Sequence, residues 1–227
     1  MGNISLYKHF APSTDKLSVD ICTAAVCGDI EEIAYLLDIG AGVNSMNSKK
    51  ETVLMLAVKF GHVEVVAYLL QKKADVSLLD AEGNSALSLA VMHGFLDVCE
   101  ILIDCGADVN QLNSNKESPL ILSIMYLLPH IGEYLMAHGA LSNIKDKNGD
   151  TPLIMAIKRC HPVFVKVLLG YGAIPMHRND KNEAPLDLAQ QLNNPKIIKL
   201  LKRSIAKSET GDSYSKISDF DKLTAKY

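Results

Sequence analysis

The sequence predicts an all-α solenoid built from about six helix-turn-helix repeats of 33 residues. Copies of one pattern open near residues 14, 47, 80, 113, 146 and 179, always at the same step. One column of that pattern is leucine in all six copies, namely Leu36, Leu69, Leu102, Leu135, Leu168 and Leu201. Six of the eight prolines also recur in two columns of the pattern, at the same step of 33 residues. A fixed period of this size indicates repeats that bury their apolar faces only against their neighbours.

The prolines locate the helices within a repeat. One column of the repeat, at the expected start of the first helix, holds Pro119, Pro152 and Pro185. A second column, at the expected start of the second helix, holds Pro129, Pro162 and Pro195. Proline is favoured at the first helical position because its missing N–H would have no partner there. We therefore expect Thr151 to cap a helix that begins at Pro152. The second helix of that repeat is expected to start near Pro162 and to end at Gly170 to Gly172, where a glycine can take the left-handed cap conformation.

The same columns define the domain boundaries. The repeat domain is expected to cover residues 14–203, with successive repeats joined by β-hairpin-like loops and preceded by an extension over residues 1–13. Residues 204–227 are rich in Ser, Lys and Asp and are expected to form a disordered tail. Glu32 and Lys202 stand where the inner copies carry apolar residues, which suits the polar outer faces that terminal repeats need.

Two segments carry a family resemblance. Residues 146–153 read Asp-Lys-Asn-Gly-Asp-Thr-Pro-Leu, and residues 106–110 read Gly-Ala-Asp-Val-Asn. With Gly61-His62 in the middle of a copy, these segments resemble the pattern of the ankyrin-repeat family over roughly residues 14–203. The resemblance implies a protein-binding module. The histidine usual after Thr-Pro-Leu is replaced in every copy, by Cys22, Met55, Ser88, Ile121, Ile154 and Asp187.

Composition narrows the possible partners. A formal net charge of −3 gives no general attraction to nucleic acid or to an anionic membrane. The longest uncharged run, residues 118–132, is broken by Pro129 and is too short to span a bilayer. We expect no nucleic-acid partner, no stable membrane insertion and a chain that is monomeric alone. The charge is uneven: residues 1–113 carry −8 and residues 114–227 carry +5, which suits a partner of complementary polarity.

The cysteines indicate a reducing environment. Five are present, scattered and without a Cys-x-x-Cys pair. This favours an intracellular protein, cytoplasmic or nuclear, including a bacterial effector translocated into a host cell. No cofactor, metal or catalytic residue is predicted, and an enzyme with a Cys/His site is the least favoured alternative. The start, Met1–Leu6, resembles a myristoylation signal, but Leu6 stands where Ser or Thr is needed.

Candidate binding residues lie where the repeat pattern fixes little. In the resembling family these places are the loop tips and the exposed face of each first helix, which lines the concave side of the solenoid. In this chain they hold Met46, Lys59, Phe60, Leu79, Met92, His93, Leu112, Met125, Tyr126, Lys158 and Arg159. Aromatic residues, methionine and arginine are enriched in interface cores. The pattern therefore predicts a surface that binds another protein, with the role of an adaptor or an inhibitor.

Two alternatives stay open beside this prediction. A structural spacer would carry a polar, featureless surface at the same positions. The aromatic residues of the tail, Tyr214, Phe220 and Tyr227, could instead form a docking peptide. We place the centre of binding near Tyr126, because that repeat departs furthest from the pattern. Leu127 replaces the glycine of a tight turn there, and we expect the turn to be reshaped.

Overall fold

The computed structural model describes residues 14–209. Its twelve helices within that range are α1 Thr14–Cys27, α2 Ile30–Asp38, α3 Val53–Lys59, α4 Val63–Gln71, α5 Ala86–His93, α6 Leu96–Asp104, α7 Pro119–Met125, α8 Pro129–Ala137, α9 Pro152–Lys158, α10 Pro162–Gly170, α11 Pro185–Gln191 and α12 Pro195–Glu209. Between them lie two isolated antiparallel bridges, Met46–Thr52 and Leu79–Ser85. The all-α prediction is confirmed. The extension, its Gly2 and the tail aromatics lie outside the described residues.

The chain divides into two compact units, residues 1–114 and 115–227. In the first unit, α1, α3 and α5 pack side by side as a layer of first helices, and α2, α4 and α6 form the layer of second helices. The second unit has the same arrangement, with α7, α9 and α11 in one layer and α8, α10 and α12 in the other. Each first helix also packs against the second helix of its own repeat.

Four helix pairs follow one regular format, and the first and last described pairs depart from it. The regular pairs, α3–α4 to α9–α10, combine a first helix of 7 or 8 residues with a second helix of 9 residues. In contrast, α1 has 14 residues and α12 has 15. The six repeats expected are thus four regular ones flanked by two modified pairs. The repeat domain was expected to end at residue 203, but α12 continues to Glu209.

The predicted helix starts are confirmed by their caps. Thr151 accepts a hydrogen bond from the Ile154 N–H at 3.3 Å, and α9 begins at Pro152. Thr52, Ser85 and Ser118 cap their helices in the same way. The contact usually made by the family's histidine is replaced by other residue types in two repeats. The Met55 sulfur accepts from the Thr52 N–H at 3.4 Å, and the Ser88 and Ser85 hydroxyls are 3.2 Å apart.

The leucine column forms the buried seam of both units. Leu69, Leu102, Leu135, Leu168 and Leu201 are fully buried, and Leu36 is 3% exposed. In the second unit Leu168 and Leu201 join one apolar cluster with Phe164, Val165 and the first-helix alanines Ala156 and Ala189. The register assigned from the repeat is therefore confirmed, because a shift of one residue would turn this column away from the core.

The expectation that Leu127 reshapes its turn is wrong. At this position every repeat keeps a left-handed backbone, with φ angles of 75°, 73°, 77°, 59°, 52° and 49° at Gly28, Gly61, Gly94, Leu127, Cys160 and Asn193. The turn is held by its hydrogen bonds: the Leu127 N–H donates to Ile124 at 3.2 Å and the Leu128 N–H donates to Ser123 at 2.8 Å. Leucine therefore adopts the glycine conformation at a steric cost of about 1–2 kcal/mol.

Candidate functional site

The loop tips of the first unit are held by the isolated β-bridges Met46–Thr52 and Leu79–Ser85 and by side-chain hydrogen bonds. Asn47 Oδ1 accepts from the N–H groups of Lys49 and Glu51 at 2.9 and 3.1 Å, and the aspartate one repeat later makes the equivalent bonds. This geometry fixes the residue just before each loop. Met46 is 38% exposed there, while Leu79 and Leu112 are half-buried. Met46 is thus the most accessible of the three predicted tip residues.

The first helices of this unit end in two exposed residues. Phe60 caps the C-terminus of α3 through its backbone, whose N–H donates to Leu56 at 3.1 Å, and its side chain is 51% exposed. Met92 is half-buried near the end of α5. His93 is exposed, but its ring lies 2.9 Å from the Leu89 carbonyl and stacks near Phe95. Because α3 and α5 pack side by side, Phe60 and Met92 lie at the same end of the layer.

The second unit repeats this arrangement with different residues. Tyr126 caps α7 through a backbone hydrogen bond to Leu122 of 2.9 Å, and its side chain is 49% exposed. Met125 precedes it and is half-buried. Arg159 caps the neighbouring helix α9, and within residues 14–209 this exposed side chain belongs to none of the ion pairs. Tyr126 and Arg159 are therefore both accessible at the ends of adjacent helices.

The two predicted lysines have partners just before the helices that they end. Lys59 donates to Glu51 Oε1 at 2.8 Å, and Lys158 donates to Asp150 Oδ2 at 2.6 Å. Lys158 also lies 3.6 Å from Glu183. The Asp150 side chain is only 4% exposed, so the lysine compensates a buried carboxylate. A partner would have to compete for these ammonium groups, whereas Arg159 is available to it.

Burial and neighbouring groups shift the pKa values of Glu51 and Lys158. Burial alone would raise the pKa of Glu51, but hydrogen bonds from Lys59 and Asn47 outweigh it and hold that pKa below its ordinary value. Burial likewise opposes the charged form of Lys158, yet Asp150 and Glu183 keep its pKa raised. Both shifts favour the charged forms of Glu51 and Lys158, and the hydrogen bonds that cause them connect each loop to the helix that follows it.

Asn179 is a loop residue whose bridging role the sequence analysis missed. Its amide nitrogen donates to Asp150 Oδ1 and to Glu183 Oε2, both at 2.7 Å, and so joins the loops before α9 and α11. The same hydrogen bond from Asn179 is the largest cause that lowers the pKa of Glu183. Its signal was present in the sequence, since the first column of the repeat holds only Asn and Asp from residue 47 onward.

The described residues offer few groups suited to other chemistry. Between residues 14 and 209, no three His, Cys, Asp or Glu side chains are grouped to hold a metal ion. Burial raises the pKa of Cys99 to about 12, and it also raises the pKa of Cys22. These two thiols stay protonated at neutral pH, which makes them poor nucleophiles. Across the same residues, no helix combines the length and apolarity required to cross a bilayer.

Comparison with known families agrees with this architecture. A family model described as ankyrin repeats (3 copies) matches residues 21–113 and again residues 120–211. Each matched stretch overlaps three of the helix pairs. The chain belongs to the ankyrin-repeat family. Ankyrin repeats are generally protein–protein interaction modules and are typically not catalytic. Among curated proteins, none matches the chain significantly.

Proposed function

We propose that this chain is a non-catalytic adaptor or inhibitor that binds a folded partner protein through its first-helix ends and loop tips. The first-unit patch comprises Met46, Lys59, Phe60, Leu79, Met92, His93 and Leu112. The second-unit patch comprises Met125, Tyr126, Lys158 and Arg159. The observation that carries the proposal is the half exposure of Phe60 and Tyr126, at 51% and 49%, on two equivalent helix ends.

The repeat fold gains little from either ring. At both positions the backbone supplies the hydrogen bond that ends the helix, so any side chain would serve. Aromatic side chains offer roughly 150–250 Å² for burial. Covering the exposed half of one ring in a complex would contribute about 2–3 kcal/mol at about 25 cal/mol per Å². That is the magnitude of an interface hot spot.

The alternatives fit the surface less well. A spacer has no use for Phe60, Met92, Tyr126 and Met125 at positions where polar residues would keep the surface solvated. An enzyme with a cysteine nucleophile would need a thiolate, and burial disfavours that form at Cys22 and Cys99. All five cysteines are free, which fits a reducing compartment, and we propose a cytoplasmic or nuclear location.

The test is affinity capture from extracts of the native cell with matched variants. Phe60→Asp and Tyr126→Asp place a charge on the two patches, while Tyr35→Asp places one on α2, where Tyr35 is 58% exposed in the layer of second helices. We expect the wild type and Tyr35→Asp to retain the same partner. Both patch variants should weaken binding by about 2 kcal/mol, roughly thirtyfold, with little change in melting temperature.

Two outcomes would overturn the proposal. If Phe60→Asp and Tyr126→Asp unfold the protein, their side chains belong to the core and the surface is wrongly assigned. If both bind normally while Tyr35→Asp loses the partner, binding uses the second helices instead. Assaying the partner's own activity with and without this chain then separates an inhibitor from an adaptor.

A further inference from the structure

A groove of about 430 Å³ lies between α10 and α12, in the layer of second helices of the second unit. Its lining consists of Pro162, Val163, Lys166, Lys196, Lys199, Leu200 and Arg203. Four of these residues are cations, three are apolar and none is acidic. The groove thus combines an apolar floor with a positive rim.

The rim charges are available to a ligand. The four cations are all exposed, and within residues 14–209 none of them takes part in an ion pair. Lys59 and Lys158 differ in this respect, because each pairs with a carboxylate just before its own helix. Four like charges around one groove repel one another, so an anionic ligand would relieve an unfavourable interaction as well as gain an attractive one.

The floor is apolar and open to solvent. Val163 is 52% exposed, and Leu200 is half-buried beside it. The helix ends at this groove are already capped, since the Phe164 N–H donates to His161 Nδ1 at 3.3 Å and the Ile197 N–H donates to Asn194 Oδ1 at 3.2 Å. Recognition must therefore come from the side chains of the groove rather than from free helix-end amides.

We propose that this groove binds an acidic peptide segment of a partner protein, with carboxylates on the four cations and an apolar side chain over Val163 and Leu200. A bare polyanion would leave the floor unused. A membrane surface is broad and cannot enter a groove between two helices. A peptide that alternates carboxylates with apolar side chains satisfies both parts of the site. The proposed contact is separate from the first-unit and second-unit patches, which belong to the layers of first helices.

Fluorescence anisotropy with a labelled peptide, Glu-Glu-Leu-Phe-Glu-Glu, tests this directly on the full chain. One comparison peptide replaces each Glu by Gln, and another replaces Leu-Phe by Ser-Ser. The groove variant is Lys199→Glu. Its control is Lys202→Glu, which changes the net charge equally on the same helix, because Lys202 is exposed and outside the groove lining.

We expect the wild type and Lys202→Glu to bind the acidic apolar peptide alike. Lys199→Glu should weaken binding by about fivefold or more, since reversal exchanges one attraction for a repulsion. Val163→Asp should weaken it similarly by removing part of the floor. Both comparison peptides should bind less well, and added salt should weaken the complex because the rim is exposed.

Several outcomes would overturn the inference. An equal loss of peptide affinity in Lys199→Glu and Lys202→Glu would mean general electrostatic attraction without a specific site. If none of the peptides bound, the groove would be excluded as a peptide-binding site. Equal affinity for the serine peptide would indicate a polyanion surface. Tighter binding to phosphatidylserine–phosphatidylcholine vesicles than to the peptide would favour a membrane surface. Phe60→Asp should bind the peptide normally, so failure here is distinguishable from failure of the proposed function.

Discussion

Gly132 and Phe164 form a complementary pair whose coupling can be measured. Gly132 lies inside α8 at a position where other repeats carry Val66, Cys99 and Val165. A Cβ atom built on Gly132 would lie 2.5 Å from Cε1 of Phe164 and 2.9 Å from Oγ of Ser123. Phe164 is 1% exposed, so its ring fills the space that the missing side chain leaves. We therefore expect Gly132→Val to destabilise the protein only while Phe164 is present.

The magnitude follows from packing and helix propensity. Overpacking a core costs about 1–3 kcal/mol, and valine recovers only about 0.3 kcal/mol of helix propensity relative to glycine. Gly132→Val should therefore destabilise the wild type by about 1–2 kcal/mol. Phe164→Val alone should cost about 2–4 kcal/mol through the cavity it leaves. In that variant the closest contact is gone and only the Ser123 hydroxyl stays near the new Cβ atom, so the added methyl groups of Gly132→Val should gain burial and stabilise by about 1 kcal/mol.

Urea unfolding followed by circular dichroism measures this cycle. The four proteins are the wild type, Gly132→Val, Phe164→Val and the double variant. The helix-propensity control is Gly170→Val, because Gly170 lies in α10 and a Cβ there would meet nothing within 4 Å. Gly132→Val should change sign between the two backgrounds, which corresponds to a coupling of about 2–3 kcal/mol. Gly170→Val should have the same small effect in both.

Additive free energies would refute this reasoning. If Gly132→Val costs the same with and without the Phe164 ring, the ring is not what excludes a side chain at that position. Ser123 would then be the remaining close neighbour, and Ser123→Ala should relieve the cost instead.

Three further predictions concern the turns, the seam and the ion pairs. Leu127→Gly should raise the free energy of unfolding by about 1 kcal/mol, and Gly94→Leu should lower it similarly, because both positions have left-handed backbone; unchanged urea midpoints would contradict this. Leu102→Ala should cost about 2–5 kcal/mol, and a loss below about 1 kcal/mol would mean that this fully buried column is misassigned. The pKa of Glu51 is lowered in the folded state, so its pair with Lys59 stabilises above pH about 4.5 and this contribution is lost as pH falls through the folded pKa. Thermal unfolding of Glu51→Gln should therefore depend less on pH below about 4.5 than that of the wild type.

The local structure could be predicted from the sequence because the same residue types recur at the same positions of each repeat. Prolines, caps and the leucine column recur in several copies. A wrong register would therefore misplace all of these residues in every copy at once. The second helix of the fifth copy was for this reason expected to start near Pro162 and to end at Gly170 to Gly172, and it runs from Pro162 to Gly170. The candidate surface followed partly, since Phe60 and Tyr126 stand where the pattern fixes only the backbone. Their role in binding remains a prediction.

Other features depended on contacts that the repeat pattern does not specify. The sequence predicted Lys158 as a binding residue, but the fold brings Asp150 and Glu183 to its ammonium group. Leu127 was expected to change its turn, and there the deciding contacts are local: the N–H groups of Leu127 and Leu128 donate to carbonyls of Ile124 and Ser123 in α7. A single side chain cannot reveal which competing partner is nearest.

The repeat period by itself determined which residues form helices and which of them face the core. Only the tertiary structure decided how neighbouring repeats accommodate their differences. Phe164 occupies the space beside Gly132, and the cations of α10 and α12 meet around one groove. Helix formation depends on local hydrogen bonds and on a periodic apolar face, and both are specified by residues that are close together in the sequence. Side-chain packing and charge pairing depend on distances between separate helices, and these distances exist only once the repeats have stacked.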